Sequence, residues 1–169
     1  MDNAKELLIS MIDAGFSPSY CTYSWVIDGY CELNDEGAIL RLLDDFEGRG
    51  LCIGLSVCRA LIRRFCKRER IASAERASSL MQEKGISGDS IIYTSLAYAY
   101  LKGDVKSSSA LLDDMYNKRL MITLKIYRSF NASYAGESHI LRLFWDNLVG
   151  RGLISKAILK DIEQSDLLL

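Results

Sequence analysis

A pattern that recurs every 35 residues is the feature of this sequence that most restricts its fold. Gly15, Gly50 and Gly85 follow one another at intervals of 35 and close the polar runs MIDAG, FEGRG and MQEKG. Gly152 closes a similar run, LVGRG. A period of this size marks stacked supersecondary units, because each unit has an apolar face that only a neighbouring unit covers. The spacing therefore predicts a solenoid.

Every unit contains two predicted amphipathic helices. In the unit that begins at Leu55, apolar or small residues follow the i, i+3, i+4, i+7 spacing of a helix face twice. The two sets are Cys58, Leu61, Ile62, Phe65 and Ala74, Ala77, Ser78, Met81. The predicted fold class is all-α: a right-handed α-solenoid of antiparallel helix pairs, a superhelix of the tetratricopeptide type.

The repeats divide the chain into one predicted domain, residues 1–169. Its parts are a half repeat at 1–19, full repeats at 20–54, 55–89, 90–123 and 124–156, and a C-terminal helix at 157–169. Asn131 takes a core position in the last repeat, and Ile158 and Ile162 predict that the terminal helix covers that repeat. Because Met1 falls where a second helix begins, we expect a fragment of a longer array, or a protein partner or second copy on the open N-terminal face.

Composition limits the possible functions. The net charge of −1 gives no overall attraction to nucleic acid, so any RNA contact must come from a local patch. No apolar run reaches the length of a membrane span.

We find no nucleophile with a base, no phosphate-binding glycine loop and no metal-ligand cluster, so neither enzyme activity nor a metal or cofactor is expected. The pairs Asp44, Asp45 and Asp113, Asp114 recur on second helices and indicate a solvated face. The five cysteines lack CxxC spacing and indicate buried thiols in a reducing compartment.

The polar face of the first helix differs from one repeat to the next. In the second full repeat it carries Arg59, Arg63 and Lys67 at i, i+4, i+8, a pattern that favours phosphate binding. The corresponding residues are Ser24, Asp28 and Glu32 in the preceding repeat, which would repel phosphate, and Thr94, Tyr98 and Lys102 in the following one, which are compatible with RNA. A charged helix face that is simply solvated is the alternative interpretation.

The repeat strings resemble a known family. TYSWVIDGYCELND, RALIRRFCKRERIASA and IYTSLAYAYLKGD, followed by DDFEGRG, MQEKGISGD and DDMYNKR, are similar to the P-type pentatricopeptide repeat. The Trp, Leu-Gly and Ala-Phe landmarks of the tetratricopeptide repeat are missing. The resemblance implies binding of single-stranded RNA with one base per repeat, read by the fifth residue of the first helix and the last residue of the repeat.

Carried over residue by residue, the resemblance implies a set of RNA contacts. The base-reading pairs are Ser24 with Gly54, Arg59 with Asp89, Thr94 with Thr123 and, less clearly, Arg128 with Lys156; the base-stacking residues are Cys21, Ser56, Ile91 and Lys125; the phosphate contacts are Arg63, Lys67 and Lys102. No pair is a strong family combination such as Asn with Asp, and only Ile91 resembles the family's valine. At about 1 to 3 kcal/mol per stacked base, four such sites predict weak binding by this chain alone.

The predicted function is sequence-guided binding of single-stranded RNA within an organellar protein of RNA processing, stability or translation. The resemblance implies a mitochondrion or chloroplast, although MDNAKELLISMIDAG lacks the Arg-rich, acid-poor character of a transit peptide. The alternative is a protein-interaction scaffold, or a degenerate repeat protein without an RNA ligand, which the net charge and the acidic residues of the first full repeat favour.

Overall fold

The computed structural model describes residues 2–32, 37–39, 41 and 54–166. Within these ranges every regular element is a helix, apart from an isolated bridge between Ile122 and Ile154. The chain divides into two compact units, Met1–Gly88 and Asp89–Leu169, called unit 1 and unit 2 below. The division lies within one residue of the predicted boundary between the second and third full repeats. The single domain remains a prediction.

Unit 1 contains α1 (Asp2–Asp13), α2 (Tyr20–Glu32), α3 (Leu55–Lys67) and α4 (Ile71–Glu83). Residues 37–39 and 41 are also helical. Helix α3 packs against both α2 and α4. The predicted core faces of the second full repeat are confirmed, since Cys58, Leu61, Ile62, Phe65, Ala74, Ala77 and Met81 are buried and Ser78 is half-buried. The predictions made for Asp44, Asp45, Gly50 and Cys52 lie outside the described residues.

Unit 2 contains α5 (Ser90–Leu101), α6 (Val105–Asn117), α7 (Leu124–Ser133), α8 (Ser138–Gly150) and α9 (Lys156–Asp166). Helices α5 and α6 form a packed pair, and α9 packs against α7. Ile158 of α9 is fully buried in the core of this unit and Ile162 packs at its margin, as predicted for the terminal helix. Helix α9 begins at Lys156, the residue that the sequence placed last in the fourth repeat.

Asn131 is half-buried in unit 2 because it has a hydrogen-bond partner there. The indole Nε1 of Trp145 donates to Asn131 Oδ1 at 2.7 Å. Both side chains are thereby satisfied, which removes most of the penalty for burying an amide or an indole N–H. A polar residue at a core position of α7 is therefore compatible with packing against α8.

Two of the landmark glycines, Gly85 and Gly152, end helices. Gly85 follows the last turn of α4 with a φ of +67°, and Gly152 follows α8 with a φ of +69°. This left-handed conformation is strained for residues with a Cβ atom and allows the next amides to bond the last helical carbonyls. In unit 2, Arg119 adopts the same conformation after α6, with a φ of +56°. Gly85 and Gly152 therefore mark the ends of second helices.

Candidate nucleic-acid interface

Helix α3 presents the basic face that the sequence predicted. Its apolar side buries Val57, Leu61 and Phe65, and the polar side carries Arg59 and Arg63 half-buried and Lys67 exposed. The helix is amphipathic because Arg59, Arg63 and Lys67 lie outside its buried apolar side. Arg59 and Arg63 also make contacts within the protein, so a phosphate would have to compete for them.

A third arginine of α3, Arg64, makes an ion pair with Asp28 of α2. Arg64 Nη2 donates to Asp28 Oδ2, and Arg64 Nε lies against Asp28 Oδ1. The second contact satisfies the distance of an ion pair but not the geometry of a hydrogen bond, so Oδ1 has charge compensation without a hydrogen bond. Asp28, which the sequence suggested would repel phosphate, therefore has its charge offset by Arg64.

A basic cavity lies beside this ion pair. It has a volume of about 260 Å³ and is lined by Asp28, Arg64, Lys67 and Arg68, all in unit 1. Lys67 and Arg68 are exposed, while Asp28 and Arg64 are partly buried. Three cations and one carboxylate give the lining a formal charge of +2. This local excess of positive charge contrasts with the net charge of −1 for the chain.

The other predicted RNA contacts of unit 1 lie near the beginnings of its helices. Gly54 is exposed and forms the N-cap of α3, and Ser56 is half-buried in the first turn. Cys21 is exposed in the first turn of α2. Ser24 lies within α2, but its side chain is outside the described part of the chain. Base stacking on Cys21 and Ser56 and base reading by Gly54 and Ser24 remain predictions.

In unit 2 the corresponding residue of α5, Thr94, is fully buried. Its Oγ1 donates to the carbonyl oxygen of Ser90 at 2.5 Å, one turn earlier in the helix. Ile91, the predicted stacking residue, is half-buried. A base could reach the Thr94 hydroxyl only if that hydroxyl gave up its bond to Ser90 and became exposed, so base reading by Thr94 remains a prediction that needs rearrangement.

Lys102, a predicted phosphate contact, takes part in a polar network of unit 2. Its Nζ lies 2.7 Å from Glu137 Oε2, and the hydroxyl of Tyr98 donates to the same oxygen at 2.7 Å. Lys102 also lies over the rings of Tyr98 and Tyr134, with 5.5 and 6.0 Å from Nζ to the ring centroids. Its side chain is only 18% exposed. A phosphate would therefore compete with Glu137 for this ammonium group.

The ionisation of this network follows from its contacts. Burial alone would raise the pKa of Glu137, but the hydrogen bonds from Lys102 and Tyr98 outweigh it and lower the pKa of the carboxyl below its ordinary value. For the Tyr98 hydroxyl, burial and the nearby Glu137 carboxylate both raise the pKa. Glu137 is consequently charged and Tyr98 neutral at physiological pH.

Aromatic rings surround Tyr98. Its ring centroid lies 4.6 Å from Tyr134 and 5.2 Å from both Phe130 and Phe144. Edge-to-face and tilted contacts of this kind add to the free energy of apolar burial. Tyr98 therefore belongs to the core of unit 2, although it occupies the same register as the solvent-reaching Arg63 of α3.

The last residues of the second and third full repeats are helix N-caps with a side-chain hydrogen bond. Asp89 Oδ1 accepts from the amide of Ile92 at 3.1 Å in α5, and Thr123 Oγ1 accepts from the amide of Ile126 at 3.4 Å in α7. Aspartate and threonine are favoured caps because a short side-chain oxygen reaches an unpaired amide of the first turn. Each predicted base-reading residue of this type thus also stabilises the helix that follows it. The sequence analysis did not predict this capping role. The signal for it is that Asp89 directly precedes Ser90, where α5 begins.

The fourth predicted pair is arranged differently. Arg128 Nη2 lies 3.3 Å from Asp161 Oδ1 of α9, in an exposed ion pair. Lys125 and Lys156 are exposed. Helix α9 begins at Lys156, so the residue that precedes it is Ser155. Ser155 therefore corresponds in position to Asp89 and Thr123, which precede their helices. The pairing of Arg128 with Lys156 remains a prediction, and the helix boundary favours Ser155 in its place.

The described cysteines are free thiols. Cys58 and Cys66 are buried, as predicted, and burial raises the pKa of the Cys66 thiol to about 12. Cys21 is exposed and departs from that expectation. Within the described ranges, no cluster of three His, Cys, Asp or Glu side chains is arranged to hold a metal ion. Over the same ranges no helix is long and apolar enough to cross a bilayer.

Helices packed in pairs, α3 with α4 and α5 with α6, define a helical-repeat protein. No protein-family model matches the sequence. Three pentatricopeptide repeat-containing proteins of Arabidopsis thaliana are similar to it. The first is 50% identical over 48 residues, which are 28% of this chain and 8% of the relative. The second is 27% identical over 123 residues, which are 70% of this chain and 21% of the relative. The third is 27% identical over 105 residues, which are 62% of this chain and 21% of the relative. The chain is therefore similar to pentatricopeptide repeat proteins.

Solved structures agree with this assignment. PPR10 in complex with an 18-nucleotide psaJ RNA element has a TM-score of 0.57 at 22% identity, over 85% of this chain and 22% of that one. PPR10 from maize has a TM-score of 0.54 at 21% identity, over 96% and 23%. This likeness confirms the all-helical class of paired repeats. The chain spans about a fifth or less of the length of these relatives. The expectation that the chain is not an enzyme stays a prediction.

Proposed function

We propose that this chain binds single-stranded RNA on the polar faces of its first helices, as part of an organellar pentatricopeptide repeat protein that acts in RNA processing, stability or translation. The observation that carries the proposal is the basic face of α3, where Arg59, Arg63 and Lys67 point away from a well-packed apolar side. PPR10, the structural relative, was crystallised with single-stranded RNA.

Phosphate contact would dominate this binding. Each cation that neutralises a phosphate releases a counterion, so affinity falls as salt rises. Unit 1 offers three such cations on α3, of which Arg59 and Arg63 also make contacts within the protein, and unit 2 offers Lys102, which contacts Glu137. Base contacts add little, because Thr94 is buried and Gly54 has no side chain. Binding by this chain alone is therefore weak and depends chiefly on unit 1, and sequence selectivity requires further repeats.

The test is binding of a randomised single-stranded RNA pool at low and physiological salt. The triple variant Arg59→Ala, Arg63→Ala, Lys67→Ala removes the basic face. A matched triple variant, Arg76→Ala, Lys106→Ala, Lys160→Ala, removes the same charge from exposed positions on other helices. We expect wild type and the matched variant to bind alike and the first variant to lose binding. Equal loss in both variants would mean that net charge alone attracts RNA.

A protein-interaction scaffold is the second candidate, and exposed apolar side chains in unit 1 favour it. Leu7 of α1 is 72% exposed, Phe16 between α1 and α2 is 64% exposed, and Trp25 of α2 is 72% exposed. Large apolar side chains that remain in solvent are typical of protein contact surfaces when they form a patch. This function predicts no RNA binding at either salt concentration and self-association that Trp25→Ser weakens. Sedimentation of both proteins distinguishes these outcomes.

The organellar address is part of the proposal and rests on the family. Pentatricopeptide repeat proteins are typically organellar. Expression of the complete reading frame with a fluorescent tag, followed by fractionation into mitochondria, plastids and cytosol, tests it. Recovery in the cytosol alone would contradict this part of the proposal and leave the RNA-binding test unaffected.

A further inference from the structure

The basic cavity of unit 1 involves arginines that the repeat pattern did not assign to RNA. Its lining is Asp28, Arg64, Lys67 and Arg68. We propose that this cavity binds a phosphate group, with Arg64, Lys67 and Arg68 as its cations and Asp28 as a positioning residue for Arg64. The proposal rests on the proposed function, since it names where RNA phosphate would bind in unit 1.

The position of the cavity shifts the predicted phosphate contacts around α3. Arg59 and Arg63 do not line it, whereas Lys67 does, together with its neighbours Arg64 and Arg68. Arg64 and Lys67 are one turn apart, and Arg68 caps the end of the helix. Three cations therefore converge at the C-terminal end of α3 rather than along its length.

Asp28 gives the cavity a fixed cation. Its carboxylate contacts both Nε and Nη2 of Arg64, so the guanidinium plane is held by two points. A guanidinium that is already oriented loses less conformational entropy when it binds a ligand than one that is mobile. The same ion pair offsets one positive charge, and Lys67 and Arg68 supply the remaining +2.

Charge and shape favour phosphate over other ligands. Arginine donates N–H groups in a planar fork that matches the oxygens of phosphate, and lysine adds a point charge. The exposed Lys67 and Arg68 leave the site open to a polymer as well as to a free end. Either a backbone phosphodiester or a terminal phosphate of RNA would supply the required chemistry.

The helix dipole of α3 opposes an anion at this end, but its last carbonyls are already bonded. The amides of Arg68, Glu69 and Arg70 donate to Arg64 O, Cys66 O and Phe65 O at 3.1, 3.1 and 2.9 Å. Hydrogen bonding of these carbonyls reduces the negative potential that a ligand meets. The three cations therefore determine the sign of the charge that the cavity prefers.

The test compares two double variants of the full chain on the same RNA. Lys67→Ala with Arg68→Ala removes two cavity cations, and Arg59→Ala with Arg63→Ala removes two cations of α3 outside the cavity. For single strands each phosphate contact contributes about 0.7 to the slope of log affinity against log salt. We expect the cavity variant to lower this slope by about 1.4 and to weaken binding more than the second variant. The double variant Arg76→Ala, Lys106→Ala is the matched control and should equal wild type.

A direct measurement uses inorganic phosphate and the side-chain Nε–Hε signal of Arg64, assigned through its absence in Arg64→Lys. We expect this signal to shift with phosphate and not with chloride at equal ionic strength. An unshifted signal, together with a cavity variant that binds RNA like the matched control, would overturn the phosphate site while leaving the proposed function standing. A shifted signal without RNA binding by wild type would overturn the proposed function and support the site.

The source of the phosphate is identified by comparing 5′-phosphorylated and 5′-hydroxyl RNA of one sequence. Equal affinities that the Lys67→Ala, Arg68→Ala variant leaves unchanged would contradict the site, and equal affinities that fall alike in this variant would indicate a backbone phosphodiester. A preference for the phosphorylated end that disappears in the Lys67→Ala, Arg68→Ala variant would indicate a terminal phosphate. Both results support the proposed chemistry, and a preference that survives in that variant contradicts it.

Discussion

Helices α3 and α5 occupy the same place in two successive repeats and use it differently. Arg59, Arg63 and Lys67 of α3 correspond, 35 residues later, to Thr94, Tyr98 and Lys102 of α5. On α3 all three residues reach solvent. On α5 Thr94 and Tyr98 are fully buried and Lys102 contacts Glu137. Equivalent register positions thus form a ligand-accessible face in unit 1 and part of the core in unit 2.

The difference has a physical cause in the neighbours of α5. Phe130, Tyr134 and Phe144 surround the Tyr98 ring, and Glu137 accepts a hydrogen bond from its hydroxyl. Phe130 belongs to α7 and Phe144 to the middle of α8, while Tyr134 and Glu137 lie between these two helices. A repeat pattern specifies which backbone positions face a groove, but whether a ligand reaches them depends on side chains supplied by the next repeat. The exposure of these positions therefore differs between the two repeats.

The largest effect is expected from truncation of Tyr98. Tyr98→Ala removes a fully buried aromatic side chain, and such changes cost about 3 to 5 kcal/mol of unfolding free energy. Arg63→Ala, at the equivalent position of α3, should change it by less than about 0.5 kcal/mol. Denaturant unfolding followed through Trp145, in a Trp25→Phe background, reports on unit 2 for Tyr98→Ala, and unfolding followed through Trp25, in a Trp145→Phe background, reports on unit 1 for Arg63→Ala. Similar small losses for both variants would show that Tyr98 is not a core residue.

The second prediction concerns Glu137, which holds Lys102 away from ligands. Glu137→Gln removes the charge that attracts Lys102 and weakens the bond from Tyr98, so unit 2 should lose about 1 kcal/mol after allowance for partial exposure. Lys102 becomes available to phosphate, and the slope of log RNA affinity against log salt should steepen by about 0.7. Lower stability with an unchanged salt slope would mean that Lys102 does not contact RNA even when released.

The same network predicts how the stability of unit 2 depends on pH. The pKa of Glu137 is lowered in the folded chain, so its contribution to stability is complete above its ordinary value of 4.5 and is lost as the pH falls through the folded value. The pKa of Tyr98 is raised, so its contribution is complete below its ordinary value of 10.0 and is lost as the pH rises above it. Unfolding curves followed through Trp145 should show a lower unfolding free energy of unit 2 at both low and high pH. These are called the acid limit and the alkaline limit below.

Glu137→Gln is the control for the acid limit. In this variant the fall in unfolding free energy at acid pH should be smaller by the amount that Glu137 contributes. The fall above pH 10 should remain, because Tyr98 remains buried. An acid limit that is identical in wild type and variant would assign the effect to other carboxylates. Asp114 is the first alternative, since hydrogen bonds from Lys118 and Tyr93 lower its pKa.

The sequence predicted which helix face a residue occupies better than it predicted which side chains surround that residue. The 35-residue period identified the helix faces, and Phe65, Met81 and Ile158 lie in the core as expected. It did not predict that Tyr98 and Thr94 are buried, because the rings that pack on Tyr98 come from residues more than 30 positions later in the chain. The Arg64–Asp28 pair was missed for the same reason, as its two residues lie in different repeats.

The helix caps offer a smaller test of the two repeats. Asp89 caps α5, whereas its counterpart Gly54 caps α3 without a side chain. Asp89→Ala should lower the unfolding free energy of unit 2 by about 1 kcal/mol. Asp89→Asn should retain the cap and change only the base preference, so a comparison of both variants in denaturant unfolding and in RNA selection separates the two roles. A base preference that Asn leaves unaltered would contradict base reading by Asp89.

The smallest effect is expected where α4 and α6 end. Gly85 adopts a φ of +67° after α4, and Arg119 adopts +56° after α6, where its Cβ atom is strained. Arg119→Gly relieves that strain but increases the freedom of the unfolded chain, so the expected gain is about 0.5 kcal/mol. The reciprocal Gly85→Arg introduces the strain in unit 1 and should cost about 1 kcal/mol. Thermal unfolding of both variants measures the pair, and a loss for Arg119→Gly would mean that side-chain contacts of Arg119 outweigh its backbone strain.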